Sequence, residues 1–446
     1  MPGIAGYVTD IPYVRGFKSM LAPAWLDFVA LLGGVRPPAR QDGFTWCDLG
    51  CGQGVSAAIL AATHRCGDFH GFDAMPIHIE HAGWLARDIG ASRAHFHATD
   101  FAAALELDLP DFDYIVAHGV YTWIDQGART ELRRLIDRRL KPGGLVYVSY
   151  NALPGWTGDL PFQHLVRALA ADGAGDSGAR FAAAARAIQR LADAGAPALA
   201  NSFTVRELRD NPGNYPRGYL VHEFLHAGWQ PLYVTELRRD LAEIGLRPVG
   251  SAFIVENFDR WVLTEQQREL VAAIADPDLR ELARDFCIEQ RFRADVFMRD
   301  AVAIDAAEQR QRLFAAGLAL VRPPSAIAYR VATPASQLDY DNPVARAIVA
   351  ALASGARCLA DMPPCEDLLA NALALCAVND VRPVETERVP VDGVNQALRR
   401  RFGGTEPIPV VALPCGTALD LEDASIAGYI GSDAVGWRDF LATHGV

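Results

Sequence analysis

The sequence has no hydrophobic run close to the length of about 18 apolar residues that a membrane span requires, although 50% of its 446 residues are hydrophobic. Its first residues lack the charged and then apolar pattern of a secretory signal. Its eight cysteines are scattered and include no C-x-x-C pair. We therefore expect a cytoplasmic protein without a membrane span, and the length predicts about two or three domains.

Positive charge is also scarce. The net charge is −12, so we expect no nucleic-acid partner, and a cationic partner would be attracted instead. Lysine occurs only at Lys18 and Lys141, and the other 40 of the 42 basic residues are arginine. A GC-rich genome is one explanation of this bias.

A glycine-rich turn at residues 47–54 is the most informative feature that is present. Glycine accepts positive φ and lets backbone amides come close to a ligand. The spacing here is G-x-G-x-G, whereas a dinucleotide site uses G-x-G-x-x-G. Asp48 in this turn would repel a pyrophosphate but attract a cation or an ammonium group. S-adenosylmethionine carries both a cationic sulfur and an ammonium group.

Four further signals follow in order along the chain. Residues 69–73 indicate a short strand that ends in Asp73, a carboxylate placed to bind the two ribose hydroxyls. Asp100 and Phe101 offer an acceptor for the adenine amino group and an aromatic ring for its face. Residues 112–118 indicate a central buried strand, and residues 140–150 combine a helix stop with a fifth strand.

These five ordered signals resemble the class I S-adenosylmethionine-dependent methyltransferases. The resemblance implies an α/β fold with a Rossmann-like sheet, and S-adenosylhomocysteine as the product of the cofactor. It assigns Asp48, Gly50 and Gly52 to the methionine end of the cofactor, Asp73 to the ribose, and Asp100 with Phe101 to the adenine. The other residues expected to bind the cofactor are Tyr7, Cys51, Ala74, Ala117 and His118.

The segment at residues 218–233 contains a literal H-E-x-x-H, formed by His222, Glu223 and His226. In zinc hydrolases this motif holds the metal on one helix, and Glu243 would be the third ligand. The glycines and the proline on either side leave room for only about two helical turns. The same segment is similar to bacterial methyltransferases with a methyltransferase regulatory domain, which include protein-lysine methyltransferases of outer-membrane proteins. We therefore expect no metal, with a zinc hydrolase as the alternative of another class.

The pattern of elements predicts six parts. A lid (1–39) precedes the cofactor-binding core (40–155). A helical insertion (156–232) and the end of the methyltransferase sheet (233–260) follow. A helical regulatory domain (261–325) and a winged-helix-like α+β domain (326–446) complete the chain.

The acceptor site is expected where the fourth and fifth strands end, because ligands of an open parallel sheet bind there. A lysine amine must lose its proton before transfer, which an aromatic pocket promotes. His118 is the candidate base, with packing against the cofactor as the alternative. The candidate catalytic residues are Tyr13, His118, Tyr121 and Trp123, and the candidate substrate-pocket residues are Asn151 and Trp156.

The family resemblance, the acidic charge and the large accessory region favour lysine side chains of a protein or peptide as the acceptor, with a small metabolite or natural product as the alternative. An enzyme that methylates lysines also gains by having few of its own, which is a second explanation for the scarcity of lysine. No Asn-Pro-Pro-Tyr motif follows the fourth strand, which disfavours amide or adenine methylation. Tyr7, Tyr13 and Arg15 are expected to contact the methionine carboxylate or gate the site, with simple lid packing as the alternative. The accessory domains are candidates for substrate binding or for pairing two subunits as a homodimer.

Overall fold

One sheet of seven strands organises the N-terminal part of the chain. The computed structural model describes residues 8, 10–11, 15–40, 42–335, 337–400, 408–422 and 434–443. The seven strands are β1 (Thr45–Leu49), β2 (Asp68–Asp73), β3 (Ala94–Ala98), β4 (Phe112–Ala117), β5 (Leu140–Asn151), β6 (Leu246–Ser251) and β7 (Phe292–Arg299). Tyr7 and Tyr13, which the sequence placed in the site, lie outside the described residues.

The strand order is β3-β2-β1-β4-β5-β7-β6. Strands β1 to β5 pair in parallel, whereas β7 is antiparallel to β5 and β6 is antiparallel to β7. This topology confirms the predicted Rossmann-like methyltransferase sheet. The chain order reverses between β1 and β4, so the crevice for a ligand opens beyond the carboxyl ends of these strands.

Helices cover both faces of this sheet. They are α1 (Pro23–Leu32), α2 (Val55–Thr63), α3 (Pro76–Asp88), α4 (Phe101–Ala104), α5 (Gln126–Arg139), α6 (Leu160–Ala171), α7 (Ser177–Asp193), α8 (Phe203–Asp210), α9 (Arg217–Leu225), α10 (Val234–Ala242), α11 (Asp259–Val262), α12 (Glu265–Ala272) and α13 (Pro277–Ile288). One core lies under α1 to α3, and a second core lies under α5 and α10. Among the described residues, every helix is too short or too polar to span a bilayer.

The segment predicted to form a helical regulatory domain (261–325) is not helical throughout. Strand β7 lies in that segment, and it pairs between β5 and β6 near the end of the sheet. The strand alternates two buried charged residues, Arg293 and Asp295, with apolar ones, so no continuous apolar run marks it in the sequence. The methyltransferase sheet therefore continues to residue 299 rather than ending at 260.

The insertion between β5 and α10 builds a small core of its own. Helices α6, α7, α8 and α9 pack Phe162, Phe181 and Phe224 against each other. Trp123 and Trp156 from the edge of the sheet join the same cluster. The insertion is therefore anchored to the loops that follow β4 and β5.

The C-terminal part packs on the opposite side of the molecule, against α1 and α2. Its elements are α14 (Ala306–Ala315), β8 (Gly317–Leu320), β9 (Arg330–Ala332), β10 (Gln337–Asp339), α15 (Pro343–Leu352), β11 (Arg357–Cys358), α16 (Leu368–Ala377), β12 (Val381–Val384), α17 (Asp392–Arg400), β13 (Val410–Leu413), β14 (Thr417–Asp420) and α18 (Ala434–Thr443). Strands β11, β8 and β12 form a three-stranded antiparallel sheet. The buried residues of this part continue the core under α1 to α3. Its likeness to a winged helix stays a prediction.

Candidate active site at the carboxyl edge of the sheet

The glycine turn joins β1 to α2 and opens toward the crevice. Gly50, Gly52 and Gly54 all have positive φ, of 94°, 53° and 73°. The amides of Gly50 and Cys51 donate to the carbonyl of Phe72 on β2, at 2.8 and 2.9 Å, and fix the turn. A Cβ added at Gly52 would meet no atom within 4 Å, so the space beside this residue is open. Half-buried Cys51 lies between these glycines.

Asp48 is buried at the end of β1 without a cationic partner among the described residues. Its side chain has an exposed fraction of only 4%. No described residue makes a hydrogen bond to its Oδ1. Burial, and then the charge of Asp73, raise the pKa of Asp48 to about 8. A buried carboxylate is costly unless it is paired, so Asp48 is arranged for a cationic ligand.

Asp73 holds the glycine turn from the end of β2. Its Oδ2 accepts from the amide of Gly52 at 3.0 Å, and its Oδ1 accepts from the amide of Met75 at 2.8 Å. The Nδ1 atom of His78 lies 3.2 Å from the same Oδ1. The carboxylate keeps 15% of its side chain exposed, so it can bind a further partner. Half-buried Ala74 follows directly.

Asp100 and Phe101 lie where β3 ends and α4 begins. The Oδ1 atom of Asp100 accepts from the amide of Ala103 at 2.8 Å and caps the helix. The carboxylate is exposed, while the ring of Phe101 packs on the core under α5. The structure therefore places both residues at the predicted edge of the crevice.

His118 follows buried Ala117 at the end of β4. Its Nδ1 lies 2.9 Å from the hydroxyl of Tyr147 and 3.0 Å from the hydroxyl of Ser149. The Ser149 hydroxyl also accepts from the amide of Gly119 at 2.8 Å. Burial, and then the charge of Lys18, lower the pKa of His118 to about 3. The ring is therefore neutral and orients the loop after β4, which favours packing against the cofactor over a role as base.

The loop after β4 turns its aromatic residues away from the crevice. The ring of Tyr121 is fully buried, and its hydroxyl donates to Asp240 on α10 at 2.9 Å. Trp123 packs into the core of the insertion. Tyr121 was expected to surround the transferred methyl group, and this expectation is wrong because its side chain points into the core under α5 and α10.

Asn151, the last residue of β5, links the sheet to the insertion. Its amide nitrogen Nδ2 donates to Oε1 of Glu223 on α9. The indole of Trp229 donates to the same oxygen at 3.0 Å. The ring of Trp156 packs against Trp229 with centroids 5.1 Å apart. The two predicted substrate-pocket residues thus meet around a buried carboxylate that the sequence assigned only to a metal motif.

The H-E-x-x-H residues do not form a metal site. Helix α9 ends at Leu225, and His226 has extended backbone, so the two histidines do not share a helix face. The Nε2 atom of His222 lies 2.7 Å from the carbonyl of Ile11, and Nδ1 of His226 accepts from the amide of Gly228. Within the described part of the chain, no three His, Cys, Asp or Glu side chains are arranged to hold a metal.

The lid reaches the glycine turn through Arg15. Its Nε donates to Oε1 of Gln53 at 2.7 Å, and the carbonyl of Gln53 lies 3.2 Å from Nδ1 of His81. Arg15 therefore lies beside the glycine turn, and its contact with the cofactor stays a prediction.

Two family models match the chain. One, described as a methyltransferase domain, matches residues 40–174. The other, described as a predicted methyltransferase regulatory domain, matches residues 216–299. The second match extends from α9 to the end of β7. The regulatory segment therefore contributes two strands to the sheet.

Among curated proteins, the uncharacterized protein sll1526 of Synechocystis is 30% identical over 357 residues, which cover 80% of this chain and 71% of that protein. The uncharacterized protein RP028 of Rickettsia prowazekii is 31% identical over 149 residues, or 33% of this chain and 58% of that protein. Among solved structures, PKMT2 from Rickettsia typhi in complex with AdoHcy is similar, with a TM-score of 0.67 and 19% identity over 92% of this chain and 86% of that chain. At that identity the structural likeness establishes the fold.

These matches agree with the strand order and with the acids at the strand ends. The family predicted from the five ordered signals is confirmed. The chain belongs to the S-adenosylmethionine-dependent methyltransferases that carry a methyltransferase regulatory domain.

Proposed function

We propose that the protein transfers a methyl group to the amine of lysine side chains in a protein or peptide. One observation carries this proposal. Two buried carboxylates, Asp48 at the end of β1 and Glu223, which contacts the last residue of β5, have no ion-pair partner among the described residues. A donor with an ammonium group and an acceptor amine supply one cation to each of them.

The donor side fits S-adenosylmethionine. The open space beside Gly52 leaves room for the methionine end, and the free Oδ1 of Asp48 suits its ammonium group. Asp73 would bind the ribose hydroxyls, and Asp100 with Phe101 would hold the adenine. When bound, S-adenosylmethionine supplies a methyl group on a sulfonium, which is electrophilic enough for direct displacement.

The acceptor side is built from neutral and aromatic groups around one acid. Trp156 and Trp229 exclude water, which penalises an ammonium and promotes loss of its proton. His118 stays neutral and keeps the loop after β4 in place. Catalysis then depends on orientation and exclusion of water, which contribute most of the rate in reactions of this type.

The comparison with PKMT2 supports the choice of acceptor. That protein is named PKMT2 and was solved in complex with AdoHcy. Its chain aligns with this one over the sheet and the accessory parts together. A large accessory region suits a macromolecular substrate better than a small one.

The test is cofactor-dependent labelling. Purified protein is incubated with isotopically labelled S-adenosylmethionine and a cell lysate, and the labelled residues are mapped by mass spectrometry. We expect the label on lysine side chains of proteins. Label found only in small metabolites, or on protein residues other than lysine, would contradict the proposed acceptor.

A further inference from the structure

Glu223 lies in an unusual environment for a carboxylate. It has an exposed fraction of 2% and is surrounded by the aromatic core of the insertion. Both of its hydrogen bonds, from Asn151 and Trp229, come to the single oxygen Oε1. Both donors are neutral groups. Neutral donors compensate a buried negative charge only in part.

The nearest cation is already engaged elsewhere. The guanidinium of Arg291 pairs with Asp159 at 2.5 Å and donates to the carbonyl of Gly155 at 3.1 Å. It also stacks on the ring of Trp156 at 3.7 Å from its centroid. Among the described residues, none forms an ion pair with Glu223. Burial raises the pKa of Glu223 to about 7, so a nearby cation would favour its charged form.

Asn151 is held at the carboxyl end of β5 by its own hydrogen bonds. Its backbone amide donates to the hydroxyl of Thr122, and its carbonyl accepts from the amide of Leu232. A carboxylate only accepts hydrogen bonds, so the Asn151 side chain must present Nδ2 to Glu223. Its carbonyl oxygen Oδ1 is then directed away from Glu223. The charge of Glu223 strengthens this orientation and makes Oδ1 a better acceptor.

We propose that Glu223 is a specificity-determining residue that acts through Asn151 to select an amine as the methyl acceptor. This inference rests on the proposed function. Asn151 Oδ1 accepts a hydrogen bond from the neutral amine, and the negative charge behind it stabilises the positive charge that develops on the amine nitrogen as the methyl group is transferred. A side chain of the same shape without an amine gains nothing from this arrangement.

The test uses Glu223→Gln, which removes the charge but keeps a carbonyl oxygen for Asn151 and Trp229. The probes are a synthetic peptide carrying the lysine mapped in the labelling experiment and the same peptide with norleucine in its place. We expect the wild-type protein to bind the lysine peptide about tenfold better than the norleucine peptide, and E223Q to lose this preference. The KM of the lysine peptide should rise about tenfold in E223Q.

Three controls keep the result interpretable. Glu243→Gln removes an exposed acid of α10 and should leave the preference unchanged. Thermal midpoint and affinity for S-adenosylmethionine should match the wild-type values in E223Q. In an Asn151→Ala background, Glu223→Gln should have little further effect, because Asn151 carries the interaction.

Two failures are distinguishable. If the wild-type protein places its label on groups other than lysine, the proposed function fails and this inference fails with it. If the wild-type protein methylates lysine and E223Q retains the preference and the KM, the role of Glu223 alone is overturned.

Discussion

The buried acids of this protein fall into two groups that differ in whether they have a cation. In the regulatory segment, buried Arg293 binds Asp285, Glu281 and Asp295 together. At the crevice, Asp48 and Glu223 are just as deeply buried, but no described residue forms an ion pair with either.

The pKa of Glu281 follows this difference, whereas at Asp285 burial outweighs the charge of Arg293 and raises the pKa to about 7. Burial alone would raise the pKa of Glu281, yet the charges of Arg293, Arg238 and Arg284 lower it to about 2. Burial, and then the charge of Asp73, raise the pKa of Asp48 to about 8. Burial also raises the pKa of Glu223 to about 7, although its two hydrogen bonds and the charge of Arg291 oppose the rise. We therefore expect the loss of a shared cation to destabilise the fold at the paired acids, and a cationic ligand to favour the charged form of the unpaired ones.

Removing Arg293 should produce the largest effect on stability. Arg293→Ala leaves three acids without their shared cation, and we expect the free energy of unfolding to fall by about 3–5 kcal/mol. Urea denaturation followed by circular dichroism measures this. Arg209→Ala, which removes an exposed pair with Asp210, serves as the control and should leave the transition unchanged. If both variants unfold at the same urea concentration, Arg293 does not stabilise the fold, and the contrast between paired and unpaired acids fails.

Asp73→Ala should have the largest effect on the cofactor. It removes the acid expected at the ribose and the bond that holds the amide of Gly52. We expect affinity for S-adenosylmethionine to fall by about 100-fold or more, as for the loss of two or more charge-assisted hydrogen bonds. Isothermal titration calorimetry measures it, with Asp108→Ala on the surface as the control. Retained affinity in Asp73→Ala would overturn the ribose assignment.

Asp48→Asn should lower the affinity for S-adenosylmethionine without lowering the stability of the protein. The variant no longer buries an acid without a cation, so the protein without cofactor should be as stable as the wild type or more so. Affinity for S-adenosylmethionine should fall by about tenfold because the ammonium group loses its charged partner. Thermal midpoints with and without cofactor measure both effects. A loss of stability without cofactor would show that Asp48 is a structural residue.

The stability of the protein without cofactor should also depend on pH through Asp48. The pKa of this group is about 8 in the folded state and 3.8 in the reference state. Because the folded-state pKa is raised, its contribution to stability is fully present below pH 3.8 and is lost as pH rises through about 8. The thermal midpoint of the wild type should therefore fall relative to that of Asp48→Asn between pH 6 and about 8. Parallel curves for the two proteins would contradict the raised pKa.

Tyr121→Phe should have the smallest effect. The variant removes the hydrogen bond from the Tyr121 hydroxyl to Asp240, which we expect to cost about 1 kcal/mol of unfolding free energy. The kcat and KM of methyl transfer should stay unchanged, because the ring lies in the core rather than at the crevice. A large loss of kcat with unchanged stability would restore the catalytic role that the sequence suggested.

The donor side was predictable from the sequence because its chemistry is local. Glycines at positive φ and acids at the ends of strands follow one another within short stretches, as at Gly52 and Asp73. Strand β7 was not predictable in this way, since Arg293 and Asp295 are satisfied by partners on other elements. The direction of Tyr121 was equally hidden, because a loop residue four positions beyond the end of a strand can face either side.

The role proposed for Glu223 in selecting the acceptor could not be predicted without the fold. Glu223 is 72 residues from Asn151 in the chain, and no spacing rule connects them. Because Glu223 is part of an H-E-x-x-H pattern, the sequence indicated a metal site instead. Only the packing of α9 against the end of β5 shows that this acid contacts Asn151.

The most direct test of the central claim counts the protons released when S-adenosylmethionine binds. Calorimetric titrations at about pH 6.5, in two buffers with different ionisation enthalpies, give this number for the wild type and for Asp48→Asn. Since Asp48 is protonated below its pKa of about 8 and must ionise to pair with an ammonium group, the wild type should release close to one proton per site. Asp48→Asn should release close to none. The same number of protons from both proteins would contradict the assignment of the unpaired buried acid to the cofactor.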